Sequence, residues 1–154
     1  MELFKGANFH LEFGLQSIHK KELAILGRKN DMSAVQDVMQ RLANQNISYE
    51  VSLIFGVPYQ TIESFKKSID FVKTNGCSNI KAFPLEILKG TPLWFERERL
   101  RRKENIQEMM QGKHNIPYVV SSNSFTKADW YEMKAIADSL RRDVDLPGTK
   151  NGKN

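Results

Sequence analysis

The sequence predicts an α/β fold, namely a partial (β/α) barrel with about three parallel strands, followed by C-terminal helices. Segments with the two-residue period of strands alternate with segments of helical period at intervals of about 30 residues, which is the pattern of successive right-handed βαβ units. The chain has 154 residues, whereas a complete eight-unit barrel takes about 250. We therefore expect an open part of a barrel.

Three segments show the alternation of apolar and polar residues that is typical of strands. They are residues 9–15, 49–55 and 79–87. Gly56 and Pro58 follow the second of these segments directly and terminate it, because neither residue continues a strand readily. The third segment leads into a loop that contains Gly90.

Four segments carry apolar residues at helical spacing. They are residues 33–44, residues 62–72 with a stop at Asn75 and Gly76, about 93–111, and a last helix that begins at Thr126. We expect Ser33 and Gln36 to form a capping box at the start of the first helix, and Thr126 and Asp129 to do so for the last.

These elements predict a single domain over residues 1–144, with the βα units in residues 9–93 and a helical extension in residues 94–144. Residues 145–154 combine Pro147, Gly148 and polar residues without periodicity. We expect this tail to be disordered.

Composition excludes several classes of protein. No segment approaches the roughly 18 consecutive apolar residues of a membrane span, and residues 1–6 lack the apolar core of a signal peptide. We therefore expect a cytoplasmic protein. The net charge is +5, but the basic run in residues 96–104 is interleaved with glutamates, which indicates an ion-paired helix face and argues against a nucleic-acid groove. The single cysteine, Cys77, excludes an internal disulfide and a three-cysteine iron–sulfur cluster held by this sequence alone.

No common catalytic motif is present. The three histidines are scattered, Ser17 is not part of a Gly-x-Ser-x-Gly elbow, and the isolated glycines form no phosphate-binding loop. In parallel α/β folds, ligands bind at the carboxyl ends of the strands. We expect polar positions of the three strands to share one face: Glu12, Gly14, Gln16, Glu50, Ser52, Ala82, Pro84 and Glu86. Periodicity leaves open whether this face is a barrel interior or an ordinary polar surface.

Four segments, in order along the chain, resemble the second half of the partial barrel of the radical S-adenosylmethionine (SAM) superfamily. They are residues 10–17 (HLEFGLQS), 26–28 (LGR), 53–61 (LIFGVPYQT) and 83–93 (FPLEILKGTPL). They are most similar to the cobalamin-binding radical SAM proteins and next to the oxygen-independent coproporphyrinogen oxidases. The resemblance covers about residues 9–93 and, more weakly, residues 116–140.

The resemblance implies a site for SAM. Gln16 and Arg28 match the strand-end glutamine and the following arginine that contact the SAM ribose and carboxylate in such enzymes. An amide can bond to hydroxyls, and a guanidinium can clamp a carboxylate with two hydrogen bonds. Ser52 stands where most relatives have an aspartate, so one polar anchor is weaker here.

The resemblance assigns the adenine-binding residues to the second and third strands. Ile54 and Gly56 match the apolar edge and tight turn that flank adenine. Ala82 and Phe83 match the strand whose backbone contacts the adenine edge.

The resemblance also implies a [4Fe-4S] cluster for the family, but the three-cysteine motif that ligates it has no counterpart in this sequence. We therefore assign no catalytic residue and no metal ligand. We expect a truncated radical SAM-like protein that keeps the second half of the SAM-binding barrel and is not active alone. The alternative is a non-enzymatic protein-interaction module built on the half-barrel. Because open sheet edges are normally covered, we expect a homo-oligomer or a partner chain.

Overall fold

The structure is a computed structural model that describes residues 11–111, 113 and 115–145. The start of the first predicted strand and nearly all of the predicted disordered tail lie outside the described residues. The secondary-structure elements are β1 (Leu11–Gln16), α1 (Lys20–Ile25), α2 (Met32–Asn44), β2 (Tyr49–Phe55), α3 (Ile62–Thr74), β3 (Asn79–Pro84), α4 (Pro92–Glu104), β4 (Gln107–Gln111), β5 (Ile116–Ser121) and α5 (Lys127–Asp145).

The first three strands form a parallel sheet in the order β1-β2-β3. The register places Ser52 of β2 between Gly14 of β1 and Lys81 of β3, and it places Ile54 opposite Phe83. The predicted α/β fold with three parallel strands is therefore confirmed, and it corresponds to part of a barrel.

The core lies on the face of the sheet that is covered by α3 and α5. Phe55 of β2 packs on Phe65 of α3 and on Trp130 of α5, with ring centroids 5.9 and 5.6 Å apart. All three side chains are almost fully buried. Aromatic burial of this kind contributes much of the stability of a small domain.

The C-terminal third departs from the prediction of two helices. Helix α4 ends at Glu104, where the sequence had predicted a helix to about residue 111, and β4 and β5 form an antiparallel hairpin. Asn105 ends the helix because it adopts a left-handed conformation, with φ of 50°.

The third strand is also shorter than predicted, because it ends at Pro84 rather than at residue 87. The chain then turns toward the hairpin, where the amide of Ile87 donates to the carbonyl of Pro117, and that of Val119 to the carbonyl of Leu85. These bonds attach the hairpin to the end of β3.

The helix starts give mixed results. The Thr126–Asp129 capping box is confirmed, since each residue accepts a hydrogen bond from the backbone amide of the other. Helix α2 is instead capped by Asp31, whose carboxylate accepts from the amides of Ser33 and Ala34. The prediction of Ser33 as the cap was wrong, because the helix begins at Met32 and Asp31, the residue before it, binds the free amides of the first turn. Helix α1 was not predicted.

No helix in the described part of the chain is long and apolar enough to cross a membrane.

Candidate functional site

A groove of about 620 Å³ lies at the carboxyl ends of the strands. Its walls come from the ends of β1 and β2, from the segment that follows α1, from the loop after β3, and from α4. Gln16, Arg28 and Ile54, three residues that the sequence predicted for ligand binding, line it together. We call it the strand-end groove.

Gln16 has an unusual backbone conformation at the edge of the strand-end groove. Its φ is 69°, and the amide of Ser17 donates to the carbonyl of Leu15 over 2.9 Å, so that residues 15–17 form a tight three-residue turn. A left-handed conformation costs a residue other than glycine about 1–3 kcal/mol. The Oε1 atom of Gln16 is buried and has no hydrogen-bond partner among the residues that the structure describes, so this acceptor is unsatisfied there.

Arg28 also lines the groove, next to the turn at Gly27. Its Nη1 atom donates to the carbonyl of Gly14 over 3.1 Å. The side chain is exposed, and the guanidinium has five N–H donors. It therefore retains donors for an anion in the groove.

The end of β2 is held by close packing. Gly56 has φ of 80°, and a Cβ atom at this position would lie 2.9 Å from the carbonyl oxygen of Val119 and 3.0 Å from the indole ring of Trp130. Only glycine accommodates both the conformation and the contact. Gly56 therefore allows the end of β2 to pack closely against β5 and α5.

A buried polar network beneath the groove was not predicted. The carboxylate of Glu22, which is 1% exposed, accepts hydrogen bonds from Ser17 Oγ at 2.7 Å, Ser64 Oγ at 2.6 Å and Gln60 Nε2 at 3.0 Å. Gln60 also donates to the carbonyl of Ile54, and its Oε1 accepts from the amide of Gly56 over 2.7 Å. The sequence signals were weak, because Glu22 lies in the helix that periodicity missed.

The other four predicted ligand-binding residues, Ser52, Gly56, Ala82 and Phe83, do not line the strand-end groove. Ser52 donates to the carboxylate of Glu12 over 2.9 Å. Ala82 is 1% exposed, and its carbonyl accepts from Arg141 Nη2 over 3.2 Å. Phe83 is 41% exposed and lies under the guanidinium of Arg141, whose central carbon is 5.0 Å from the ring centroid.

The predicted polar face needs one correction. Ala82 and Pro84 were expected on it, but Ala82 pairs with the core residue Leu53, so Lys81 and Phe83 occupy the polar face instead. Successive side chains of a strand alternate between faces, and the prediction was therefore shifted by one residue. Lys81 forms an ion pair of 2.8 Å with Glu50 on this face.

Helix α4 carries ion pairs along its charged run. Arg97 binds the largely buried carboxylate of Glu108 with its Nε atom, at 2.8 and 2.9 Å, and with Nη2. Burial raises the pKa of Glu108, but the hydrogen bonds and charges of Arg97 and Arg101 outweigh burial and lower it. Glu96 and Arg99, which also pair, line the strand-end groove.

No cluster of three or more potential metal ligands occurs among the residues that the structure describes. Cys77 is buried at the opposite end of the sheet, and its Sγ lies 3.5 Å from the carbonyl oxygen of Tyr49. Burial raises the pKa of this thiol, which disfavours the thiolate that would bind a metal.

Comparison with known proteins gave matches to parts of longer chains, and no family model matches the sequence. The chain is 33% identical over 112 residues to the ribosomal protein uS12 methylthiotransferase RimO of Carboxydothermus hydrogenoformans, which is 70% of this chain and 26% of that protein. It is 30% identical over 87 residues to protein YhcC of Escherichia coli, covering 56% of this chain and 28% of that protein. It thus spans about a quarter of the length of these relatives.

Solved structures agree with these matches. Elp3 of the archaeon Methanocaldococcus infernus superposes with a TM-score of 0.54 and 25% identity, over 64% of this chain and 24% of that one. The radical SAM methyltransferase TsrM of Kitasatospora setae gives a TM-score of 0.63 and 15% identity, over 85% and 31%. The radical SAM coproporphyrinogen III oxidase HemN of Escherichia coli gives 0.58 and 16%, over 92% and 28%.

Proposed function

Because this chain corresponds in sequence and fold to part of a radical SAM domain, we propose that its strand-end groove binds S-adenosylmethionine. The observation that carries the proposal is the convergence of Gln16, Arg28 and Ile54 on one groove at the carboxyl ends of parallel strands. Ligands of α/β folds bind at this edge.

The residues present fit the ligand. The buried Oε1 atom of Gln16 receives no hydrogen bond from the described part of the chain, and a ribose hydroxyl would supply one. Arg28 would bind the carboxylate of the methionine moiety, and Ile54 would contact the adenine ring. Bound there, S-adenosylmethionine would supply the sulfonium group on which the chemistry of radical SAM enzymes depends.

The residues present do not fit the iron–sulfur cluster of the family. The sequence contains one cysteine, which is buried with a raised pKa, whereas such a cluster is held by several thiolates. We propose that this chain binds SAM without cleaving it unless cluster ligands come from another polypeptide segment. The lone thiol also fits a reducing compartment, and we propose the cytoplasm as its location.

Titration calorimetry of the full chain with SAM tests the proposal. We expect binding, and about tenfold weaker binding for Gln16→Ala and for Arg28→Ala, because each variant loses about 1.4 kcal/mol of polar contact. Arg41→Ala is the matched control, since Arg41 pairs with Asp37 on the exposed face of α2. Absence of binding by the unmodified chain would refute the proposal.

Self-association is a second candidate function, and a specific surface favours it. Phe13 and Val38 are 37% and 42% exposed, and they line an apolar groove of about 290 Å³ between β1 and α2. In the described sheet β1 pairs only with β2. The outer edge of β3, in contrast, is partly covered where Arg141 binds the carbonyl of Ala82.

We propose that a second copy of this chain covers the groove between β1 and α2. A two-fold interface requires a self-complementary patch, and the same helix, α2, carries both an exposed acidic residue, Asp37, and an exposed basic residue, Arg41. Light scattering after gel filtration is expected to give a dimer, which Val38→Lys dissociates. Phe95→Lys, at an exposed apolar position on α4, is expected to remain a dimer. A monomeric unmodified chain would refute this candidate.

A further inference from the structure

Glu22 is a buried carboxylate to which the SAM proposal assigns no role. It lies in α1 and joins three segments of the chain through Ser17, Gln60 and Ser64. All three of these partners are neutral hydrogen-bond donors. An ionisable group is buried only where its hydrogen bonds compensate for lost hydration. The burial of Glu22 therefore depends on these three donors.

Glu22 is linked through Ser17 to the first wall of the strand-end groove, which is the end of β1 at Gln16. The hydroxyl of Ser17 donates to Glu22 over 2.7 Å and accepts from the amide of His19 over 3.0 Å. Ser17 is also the last residue of the strained turn that holds Gln16 in its left-handed conformation. A strained conformation persists only where its surroundings hold it in place. Glu22 therefore anchors the residue that closes this turn.

Glu22 is linked through Gln60 to the second wall of the groove, which is the end of β2 at Ile54. The Nε2 atom of Gln60 donates to Glu22 over 3.0 Å and to the carbonyl of Ile54 over 3.1 Å, while its Oε1 accepts from the amide of Gly56. The side-chain amide of Gln60 thus forms, at the end of β2, the two hydrogen bonds that a backbone N–H and a backbone carbonyl would form in a sheet. Its orientation depends on the acceptor that Glu22 supplies.

We propose that Glu22 is the positioning residue of the strand-end groove: through Ser17 and Gln60 it sets the relative placement of Gln16 and Ile54. This inference rests on the proposed SAM site. Glu22 does not touch the ligand, so its effect on binding passes through the two residues that do. An amide at this position replaces only some of its acceptor capacity, because its NH₂ group donates where the carboxylate accepts.

A double-mutant cycle on the full chain, with SAM as the ligand in calorimetry, tests the proposal. We expect Glu22→Gln to weaken binding about tenfold at a temperature where the variant is fully folded, with Glu63→Gln, at an exposed position of α3, as the matched control. In the Gln16→Ala background, Glu22→Gln is expected to add less than threefold, because part of its effect passes through Gln16. Full additivity, or an unchanged affinity in a folded Glu22→Gln variant, would overturn the proposal.

Amide hydrogen exchange separates this inference from the proposed function. Glu22→Gln is expected to accelerate exchange at the amides of Gly56 and His19 at least tenfold more than at core amides of α5. If the unmodified chain does not bind SAM, the proposed function is refuted. Faster exchange at Gly56 and His19 in Glu22→Gln would still show that Glu22 fixes the two walls of the groove. Exchange that rises equally throughout the chain would show a global loss of stability and overturn the positioning role.

Discussion

Gly14 lies directly beneath the side-chain amide of Gln16. A Cβ atom at residue 14 would be 2.7 Å from Gln16 Nε2, and the carbonyl of Gly14 accepts the hydrogen bond from Arg28. The absence of a side chain at residue 14 thus allows both candidate SAM-binding groups to approach the same strand. Close approach of this kind is one of the reasons for glycine within a strand.

Gly14→Ala is therefore expected to weaken SAM binding several-fold with little loss of stability. The added methyl group displaces the end of a flexible side chain, and such a shift changes the free energy of unfolding by less than about 1 kcal/mol. Calorimetry gives the affinity and urea unfolding gives the stability. In the Gln16→Ala background the same substitution should leave the affinity unchanged, and a several-fold effect there would contradict this explanation.

Gly56→Ala is expected to destabilise the fold by about 3 kcal/mol. The left-handed conformation costs about 1–2 kcal/mol for alanine, and the methyl group would meet the Val119 carbonyl and the Trp130 ring, which adds an overpacking penalty of about 1–3 kcal/mol. Gly90→Ala is the control, because Gly90 has a similar φ of 82° and, its two chain neighbours aside, no atom of the described residues lies within 4 Å of the added Cβ. Urea unfolding should show about 1 kcal/mol for the control. Equal losses in the two variants would show that packing against Trp130 contributes nothing.

The parallel sheet and the helices that cover it could be predicted because burial enforces a regular period. The strand at residues 49–55 and the Thr126–Asp129 cap agree with the structure. The β4–β5 hairpin could not be predicted, since no glycine or proline separates the charged run of α4 from residues 105–111, which suit a helix or a strand. The left-handed conformation of Asn105 ends the helix. The hairpin is then held by hydrogen bonds that join Pro117 and Val119 to residues much earlier in the chain, Ile87 and Leu85.

The candidate site was predictable only in part, for a similar reason. Gln16, Arg28 and Ile54 were found through a resemblance and do meet in one groove. Two hydrogen bonds of the Glu22 network join residues that are separated by 38 and by 42 positions in the sequence. A local hydrophobic period cannot reveal contacts between residues so far apart. The assignment of Ala82 to the polar face failed because a strand period does not fix which of two faces is buried.

Glu108→Gln is expected to lower stability by about 1–3 kcal/mol at pH 7, because the mostly buried carboxylate binds Arg97 through several hydrogen bonds. Glu96→Gln is the control, since the exposed Glu96–Arg99 pair contributes about 0–1 kcal/mol. Urea unfolding measures both. A loss for Glu96→Gln as large as that for Glu108→Gln would contradict the role assigned to burial.

The same pair makes stability depend on pH. The pKa of Glu108 is lower in the folded chain than its ordinary value of 4.5, so its contribution is complete above about pH 4.5 and is lost as the pH falls through the folded-state pKa. The free energy of unfolding of the unmodified chain should therefore decrease more between pH 5 and pH 3 than that of Glu108→Gln. Parallel pH profiles for the two proteins would rule out a lowered pKa at Glu108.

The thiol of Cys77 is expected to be nearly inert in the folded chain. It is 3% exposed, and burial raises its pKa above the ordinary value of 9.0, so access and thiolate fraction are both reduced. Alkylation by iodoacetamide at pH 8, followed by mass spectrometry, should be at least tenfold slower in buffer than in urea. A Cys77→Ser variant that also carries Gln36→Cys, at an exposed position of α2, should react at similar rates in both. Fast alkylation of Cys77 in the folded chain would mean that the thiol can reach solvent. Its exclusion as a cluster ligand would then rest only on its being the single cysteine of the sequence.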